Sequence, residues 1–316
     1  MGKGKVGIVG SGLVGKSWAM IFASAGYNVT MYDINNEAVQ NALVDIEAQL
    51  LALEKSQLLR GSLSPKEQKD LITGTTSLEE CIKDAFFIQS AIPENPDLKK
   101  KVFKNIAELV EKDDVIISSS TSCLMPDIIF SDSARKSQSI ICHPVNPPYY
   151  APMVEIIPHD ETTQDIRKRT REIMAEVGQK PVLLNRAIDG FALNRIQYSV
   201  INESWRLVQD GIMSPEDVDT VLTAGLGMRY ATIGPFETIH LNAEGVREYM
   251  EKFASSIKRV SATFGPTPDY SGEALEKICD MIEAKIPLDQ MAKRRARRDK
   301  LLAGMAKLLK ELDSEE

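Results

Sequence analysis

The chain has 316 residues, room for two domains at about 100 to 200 residues each, and its 43% hydrophobic content supports substantial cores without disulfide or metal staples. A formal charge of −7, from 38 Lys and Arg against 45 Asp and Glu, argues against a general nucleic-acid binder, whose phosphate contacts need a basic footprint. The four cysteines, Cys81, Cys123, Cys142 and Cys279, show no Cys-x-x-Cys spacing, so the expectation is a metal-free protein with reduced thiols, each a small buried apolar side chain.

The opening "MGKGKVGIVGSG" runs straight into a glycine-rich turn, with no apolar signal core, no Arg-rich leader and no myristoylation pattern. No stretch reaches the roughly 18 apolar residues of a membrane span, so a cytoplasmic protein without a membrane partner is expected. Seven short β-branched runs follow in order: "KVGIVG", "YNVTMYD", "AFFIQSA", "DVIISSS", "QSIICHP", "MVEIIP" and "KPVLL". Alternating with helical patterns, they predict a mostly parallel sheet covered by helices. Between the second and third lies "NNEAVQNALVDIEAQLLALEKSQLL", then "SPKEQKDLI", where Ser64 as N-cap, Pro65 at the first helical position and Glu67 announce a second helix of an inserted hairpin.

After "KPVLLNRAIDG" the strand signals stop. The stretches "FALNRIQYSVINESWRLVQDG", "SPEDVDTVLTAG", "AEGVREYMEKFASSIKRVSATFG" and "SGEALEKICDMIEA" all read as helices with caps and glycine stops. The fold class expected is α/β: a Rossmann-like doubly wound sheet domain over residues 1–187, then a smaller all-α domain over residues 188–316. In the last helix, Leu301, Met305, Leu308, Leu309 and Leu312 recur at helical spacing beside a cationic cluster and predict an amphipathic packing face. The cationic cluster itself reads as a solvated face.

"GIVGSGLVGKSWA" places Gly10, Gly12 and Gly15 in G-x-G-x-x-G order after a strand and at the opening of a helix. Asp33 ends the next strand about 20 residues on, where a carboxylate accepts adenosine ribose hydroxyls and repels a 2′-phosphate. Together they predict an NAD site. Gly10 permits the turn, Gly12 lets backbone approach the pyrophosphate, Gly15 lets helix and strand pack, and Leu13 and Val14 stand in the first helical turn, whose positive end favours phosphate.

His143, in "ICHPVNPPYYAPMVE", follows a strand and so sits where open α/β sheets place ligands. On residues alone it is either a catalytic base or a turn residue among prolines. The segments "SSTSCL", "HPVNPPYYAPMVEI", "GFALNRI" and "GPFETI", in this order after the glycine motif, resemble the 3-hydroxyacyl-CoA dehydrogenase superfamily over nearly the whole chain. Within it, "HPVNPPYYAPMVE" and "AGLGMRYATIGPFETIHLNAEG" most resemble the lambda-crystallin branch, whose activity is NAD-dependent L-gulonate 3-dehydrogenation. The resemblance implies that His143 is the catalytic histidine and Glu155 its orienting glutamate. It implies that Ser122 and Asn194 bind the substrate oxygen, and that Glu94 and Lys99 of "IPENPDLKK" contact the cofactor. The residue types suit the chemistry, since alcohol oxidation needs a base to take the hydroxyl proton, and imidazole titrates near the operating pH.

The acyl-CoA members generally have "HFFNP" where this chain has "HPVNPPYY", and the usual "GKKTGEGFY"-like ending is replaced by the basic helix. Thioester recognition is therefore less expected than binding of a small free hydroxy acid. Arg229 of "GMRYATIGPF" is either a clamp for the substrate carboxylate or a helix-end surface arginine. The reading is an NAD-dependent 3-hydroxyacid dehydrogenase acting on L-gulonate. Its rivals are a 3-hydroxyacyl-CoA or carnitine-type dehydrogenase and a structural crystallin-type protein. A homodimer through the helical domain is expected, from the apolar helix faces after residue 188 and from the resemblance.

Overall fold

The structure, a computed structural model, describes residues 3–313. Its strands are β1 (Lys5–Val9), β2 (Asn28–Tyr32), β3 (Ile72–Thr75), β4 (Ala85–Ser90), β5 (Ile116–Ser119), β6 (Ser139–Pro144), β7 (Met153–Pro158) and β8 (Lys180–Leu183). They form one sheet in the order β3-β2-β1-β4-β5-β6-β7-β8. Every pairing is parallel except β6 with β7. The chain leaves β1 in one direction across the sheet and resumes at β4 in the other, which creates the switch point where such sheets bind dinucleotides.

The seven strands read from sequence are all present; the eighth, β3, is an addition. Its sequence, ITGT, is short, has one strongly apolar residue and pairs only with β2 at the sheet edge, so it carries no burial pattern to read. The central strands are apolar on both faces. Val6 and Ile8 of β1, Phe87 of β4 and Ile140 of β6 join one core, while Val9, Ile88 and Ile141 join the other. That alternation is what helices on both faces of a parallel sheet require.

The first core is covered by α1 (Leu13–Ser24), whose Trp18 and Phe22 are fully buried, and by α2 (Asn36–Lys55). After α2 comes α3 (Pro65–Asp70), with the expected capping box: Ser64 and Glu67 each accept from the other's backbone N–H. The second core is covered by α4 (Leu78–Ile82), α5 (Pro96–Leu109) and α6 (Pro126–Ile129), with Phe103 and Phe130 edge to face at 4.7 Å. Helix α7 (Gln164–Glu176) returns to the first face between β7 and β8.

The remaining helices are α8 (Leu193–Gln209), α9 (Pro215–Val221), α10 (Gly227–Tyr230), α11 (Pro235–Leu241), α12 (Val246–Ser261), α13 (Gly272–Lys285) and α14 (Met291–Asp313). A single π-helical turn, Leu222–Leu226, joins α9 to α10. The chain divides into two compact units, one reaching to Asn194 and including Leu301–Leu308, the other holding Arg195–Lys300 and resuming at Leu309. In the second unit Arg206 donates to the carbonyls of Gly265 and Pro266, and Trp205 stands edge to face on Tyr270.

Two expectations need correction. Cys81 and Cys142 are buried, but Cys123 is exposed and Cys279 half-buried, although all four thiols are free. Most of the stripe expected to pack α14 is outward: Leu301, Met305, Leu308 and Leu312 are exposed and Leu309 is half-buried, whereas Ala303 is buried. With apolar residues on several sides of "LLAGMAKLL", spacing does not select the inward face, and a small residue permits the closer approach.

Candidate active site

Glycine geometry at the end of β1 meets the demands of a phosphate loop. Gly10 adopts φ +111°, and a Cβ there would lie 2.7 Å from the Ala91 carbonyl oxygen. A Cβ on Gly15 would lie 1.9 Å from the Gly10 oxygen, so helix α1 approaches the turn as only glycine allows. At Gly12, by contrast, an added Cβ would meet nothing within 4 Å, so backbone here faces open space. Gly12 caps α1 without a side chain, Leu13 and Val14 begin its first turn, and no acidic residue stands in that turn to neutralise its positive end. Asp33 follows β2, and its carboxylate accepts from both the backbone N–H and the hydroxyl of Ser11. Open backbone, an uncapped helix start and a carboxylate beyond β2 fit the dinucleotide expected from the sequence.

Four residues apart from this loop converge. His143 on β6 and Glu155 on β7 are directly opposite one another in the antiparallel ladder. His143 Nδ1 and Glu155 Oε2 are 2.8 Å apart, with the residues 4% and 1% exposed. A carboxylate only accepts, so Nδ1–H donates the hydrogen bond to Glu155, and in the neutral ring Nε2 is then the nitrogen with the lone pair. Among the described residues Nε2 has no hydrogen-bond partner. The other oxygen of Glu155, Oε1, accepts from the backbone N–H groups of Ala192 and Leu193, each at 2.8 Å. Thus the carboxylate closes the N-terminal end of α8 and orients the imidazole at once.

The turn that brings α8 there is tight. Gly190 and Phe191 both have positive φ, +74° and +51°, and Phe191 N–H donates to the Ile188 carbonyl. Phe191 is fully buried, its ring 5.6 Å from the imidazole. Three residues on, Asn194 donates from Nδ2 to the main-chain oxygen of Ser122 at 2.7 Å. Residues 192–194 therefore tie the His143–Glu155 pair to the Ser122 loop. Ser122 itself is exposed, and the Asn194 contact uses its carbonyl, not its hydroxyl.

Glu94 and Lys99 form a pair at 3.1 Å, with Lys99 almost fully buried and also donating to the Ile92 carbonyl. Glu94 Oε1 accepts from the Thr121 hydroxyl and from the backbone of Ser122 and Cys123. Burial pushes the Glu94 carboxyl up, but the Thr121 hydrogen bond and the Lys99 ammonium outweigh it and hold it below the usual carboxylate range. Burial lowers the Lys99 ammonium, with Glu94 opposing the shift. Glu94 braces the Ser122 loop, and Lys99 in turn holds Glu94. Arg229 belongs to the second unit, exposed on α10, and its side chain has no hydrogen bond or ion pair among the described residues. Phe191, Thr121 and Ser11 were not singled out from sequence. Phe191 stands in the "GFALNRI" segment, but its left-handed backbone leaves no trace in residue identity. Among the described residues no group of three or more His, Cys, Asp or Glu is arranged to hold a metal ion, and no helix is long and apolar enough to cross a membrane.

Two family models match the chain in succession. Residues 5–187 match the family model for the 3-hydroxyacyl-CoA dehydrogenase, NAD binding domain, and residues 190–280 that for the 3-hydroxyacyl-CoA dehydrogenase, C-terminal domain. Lambda-crystallin of Oryctolagus cuniculus is 48% identical over 311 residues, spanning 98% of this chain and 97% of the relative. L-carnitine dehydrogenase of Bacillus cereus is 32% identical over 307 residues, 96% of this chain and 92% of the relative. Among solved structures, an NAD+ dependent dismutase, 5-formyl-3-hydroxy-2-methylpyridine 4-carboxylic acid 5-dehydrogenase, aligns with a TM-score of 0.83 at 23% identity, covering 98% of this chain and 99% of that one. That likeness is one of fold.

Proposed function

The chain belongs to the 3-hydroxyacyl-CoA dehydrogenase family, in its lambda-crystallin branch, and we propose that it oxidises the 3-hydroxyl of a small free hydroxy acid, L-gulonate to 3-dehydro-L-gulonate. Family membership carries the coarser statement: an NAD-dependent dehydrogenase of the 3-hydroxyacyl-CoA dehydrogenase type, with an NAD-binding N-terminal domain. The observation that carries the reading at the site is the buried His143–Glu155 pair, with one imidazole nitrogen held and the other free.

When bound, NAD supplies the hydride acceptor. The chain's own residues then have the following parts. His143 Nε2 takes the hydroxyl proton, and Glu155 fixes the tautomer and stabilises the imidazolium that forms. Ser122 and Asn194 hold the substrate oxygen as neutral donors. Gly10, Gly12, Leu13, Val14 and Gly15 receive the pyrophosphate, Asp33 the adenosine ribose, and the Glu94–Lys99 pair borders the cofactor while bracing Ser122. Arg229 is assigned the substrate carboxylate, which a guanidinium fork binds with two parallel hydrogen bonds. Cytoplasmic location suits four free thiols. Ile196, Met228 and Phe236, all more than 60% exposed in the helical unit, favour burial in a homodimer.

The test is a comparison of initial rates with NAD against L-gulonate, L-3-hydroxybutyrate, L-carnitine and a 3-hydroxyacyl-CoA. The highest kcat/KM is expected for L-gulonate. A higher value for the thioester or for carnitine overturns the substrate assignment, and no turnover with any of them supports the structural crystallin reading. With L-gulonate, Arg229→Met should raise KM and leave NAD affinity unchanged; native kinetics would remove the clamp. Sedimentation at micromolar concentration should show a dimer, and a monomer would reject that assignment.

A further inference from the structure

We propose that Ser11 is a specificity-determining residue that locks Asp33 into the orientation selecting NAD over NADP. The proposal rests on the NAD reading of the glycine loop and deepens it. Both donors of Ser11 converge on one oxygen of Asp33: the backbone N–H at 3.0 Å and the hydroxyl at 2.8 Å, each to Oδ2. Two bonds from one residue fix the position of that oxygen and the torsion of the side chain carrying it. Ser11 is 7% exposed and stands between Gly10 and Gly12. Its backbone belongs to the part of the loop that the Gly10–Ala91 and Gly15–Gly10 approaches hold against the sheet and α1. Asp33 is therefore tethered to a rigid element.

The second oxygen is in a different state. Among the described residues Oδ1 has only a 3.4 Å approach from the Asn35 N–H, so it is the acceptor left for ribose hydroxyls. The segment after Asp33 supplies no cation for a 2′-phosphate. Residues 34–37, Ile-Asn-Asn-Glu, contain no Lys or Arg, and Glu37 adds a negative charge in the first turn of α2. An untethered aspartate rotates outward and relieves the repulsion of a phosphorylated ribose. Held by Ser11, Asp33 has no such escape, so discrimination depends on the tether as well as on the charge.

Ser11→Ala and Ser11→Gly both remove the hydroxyl while keeping the backbone donor, and both fit the space of the native side chain. Calorimetric titration of the full chain with NAD and with NADP, without substrate, reads affinity independently of turnover. For either variant the Kd for NAD should rise about 3- to 10-fold, the size of one lost hydrogen bond, while that for NADP stays level or falls. The ratio of the two should narrow accordingly. In an Asp33→Ser background, Ser11→Ala should leave the ratio within about twofold, because the tether then has nothing to hold. A native ratio in both Ser11 variants overturns the proposal. So does an equal loss of affinity for both cofactors, the signature of a loosened loop, and so does a Ser11→Ala effect that persists in Asp33→Ser. Failure of the native chain to bind NAD at all would overturn the cofactor reading itself, which the first titration isolates.

Discussion

Replacing Glu155 by glutamine changes one oxygen to an amino group and nothing in size, yet it should cost most of the activity. The side chain meets three donors: His143 Nδ1 on one oxygen, and the N–H groups of Ala192 and Leu193 on the other. Glutamine has one carbonyl oxygen to give. Turned toward His143, it would leave both backbone donors facing an NH2 group, at about 1–3 kcal/mol for each unsatisfied N–H. The alternative keeps both bonds and aims NH2 at Nδ1, which must then be the ring's acceptor. A preference of roughly 2–6 kcal/mol for that second orientation corresponds to about 1.5 to 4 decades of population. In it the ring proton sits on Nε2, the nitrogen that has to accept the substrate's proton. Initial rates of NADH formation at saturating NAD and hydroxy acid should therefore fall by about 10² to 10⁴. NAD affinity should stay within twofold, since among the described residues Glu155 is bonded only to the imidazole and the start of α8. A kcat within threefold of native would show that tautomer selection by Glu155 is not what the reaction needs.

His143→Gln should lower kcat by about 10² to 10⁴ with NAD binding intact; a kcat within threefold of native would place the base elsewhere. Burial pushes the Cys81 and Cys142 thiols up to about 12, so at pH 8 roughly one molecule in ten thousand carries either thiolate. Mass mapping after brief iodoacetamide treatment should find Cys123 modified and Cys81 and Cys142 modified only after unfolding, and native labelling of Cys142 would contradict the packing of β6. Burial first, then the hydrogen bond and charge of Glu176, push Tyr27 from 10.0 up to about 12. The folded state thus keeps the phenolic proton after the unfolded chain has released it, a contribution complete below pH 10 and lost as pH rises toward 12. Tyr27→Phe should cost about 0.5–1.5 kcal/mol at neutral pH and abolish this part of the alkaline fall in Tm; an unchanged alkaline limb would refute the assignment.

Strands buried on both faces write themselves into sequence as continuous apolar runs, which is why β1, β2 and β4 to β7 are legible and β3 is not; β8, an edge strand with no buried residue, is legible from its β-branched and apolar run alone. At β3 the ladder with β2 is made by backbone, and Gly74 lies where a Cβ would come within 2.3 Å of Val39 Cγ1. The residue there answers to the closeness of α2, a tertiary fact. Helix α14 fails for a related reason. Its leucines satisfy a 3.6-residue period on more than one side, and the buried position is Ala303, where small size permits contact.

The site divides in the same way. G-x-G-x-x-G and Asp33 are local signals whose mechanism depends on backbone conformation near the motif, so their residues are readable in order. The His143–Glu155 pair is twelve residues apart in sequence and adjacent only because β6 and β7 run antiparallel in one register. A shift of one residue would send Glu155 to the opposite face of the sheet. Residue patterns mark the two strands but leave that register open, and only the resemblance joins the pair. More hidden is what holds Glu155. Its anchor is the backbone N–H of Ala192 and Leu193, groups that every non-proline residue has, delivered by a turn in which Phe191 takes a left-handed conformation. No side-chain identity encodes those donors. The part of the site that carries the chemistry is written in residue types, whereas the part that aims it is written in backbone geometry.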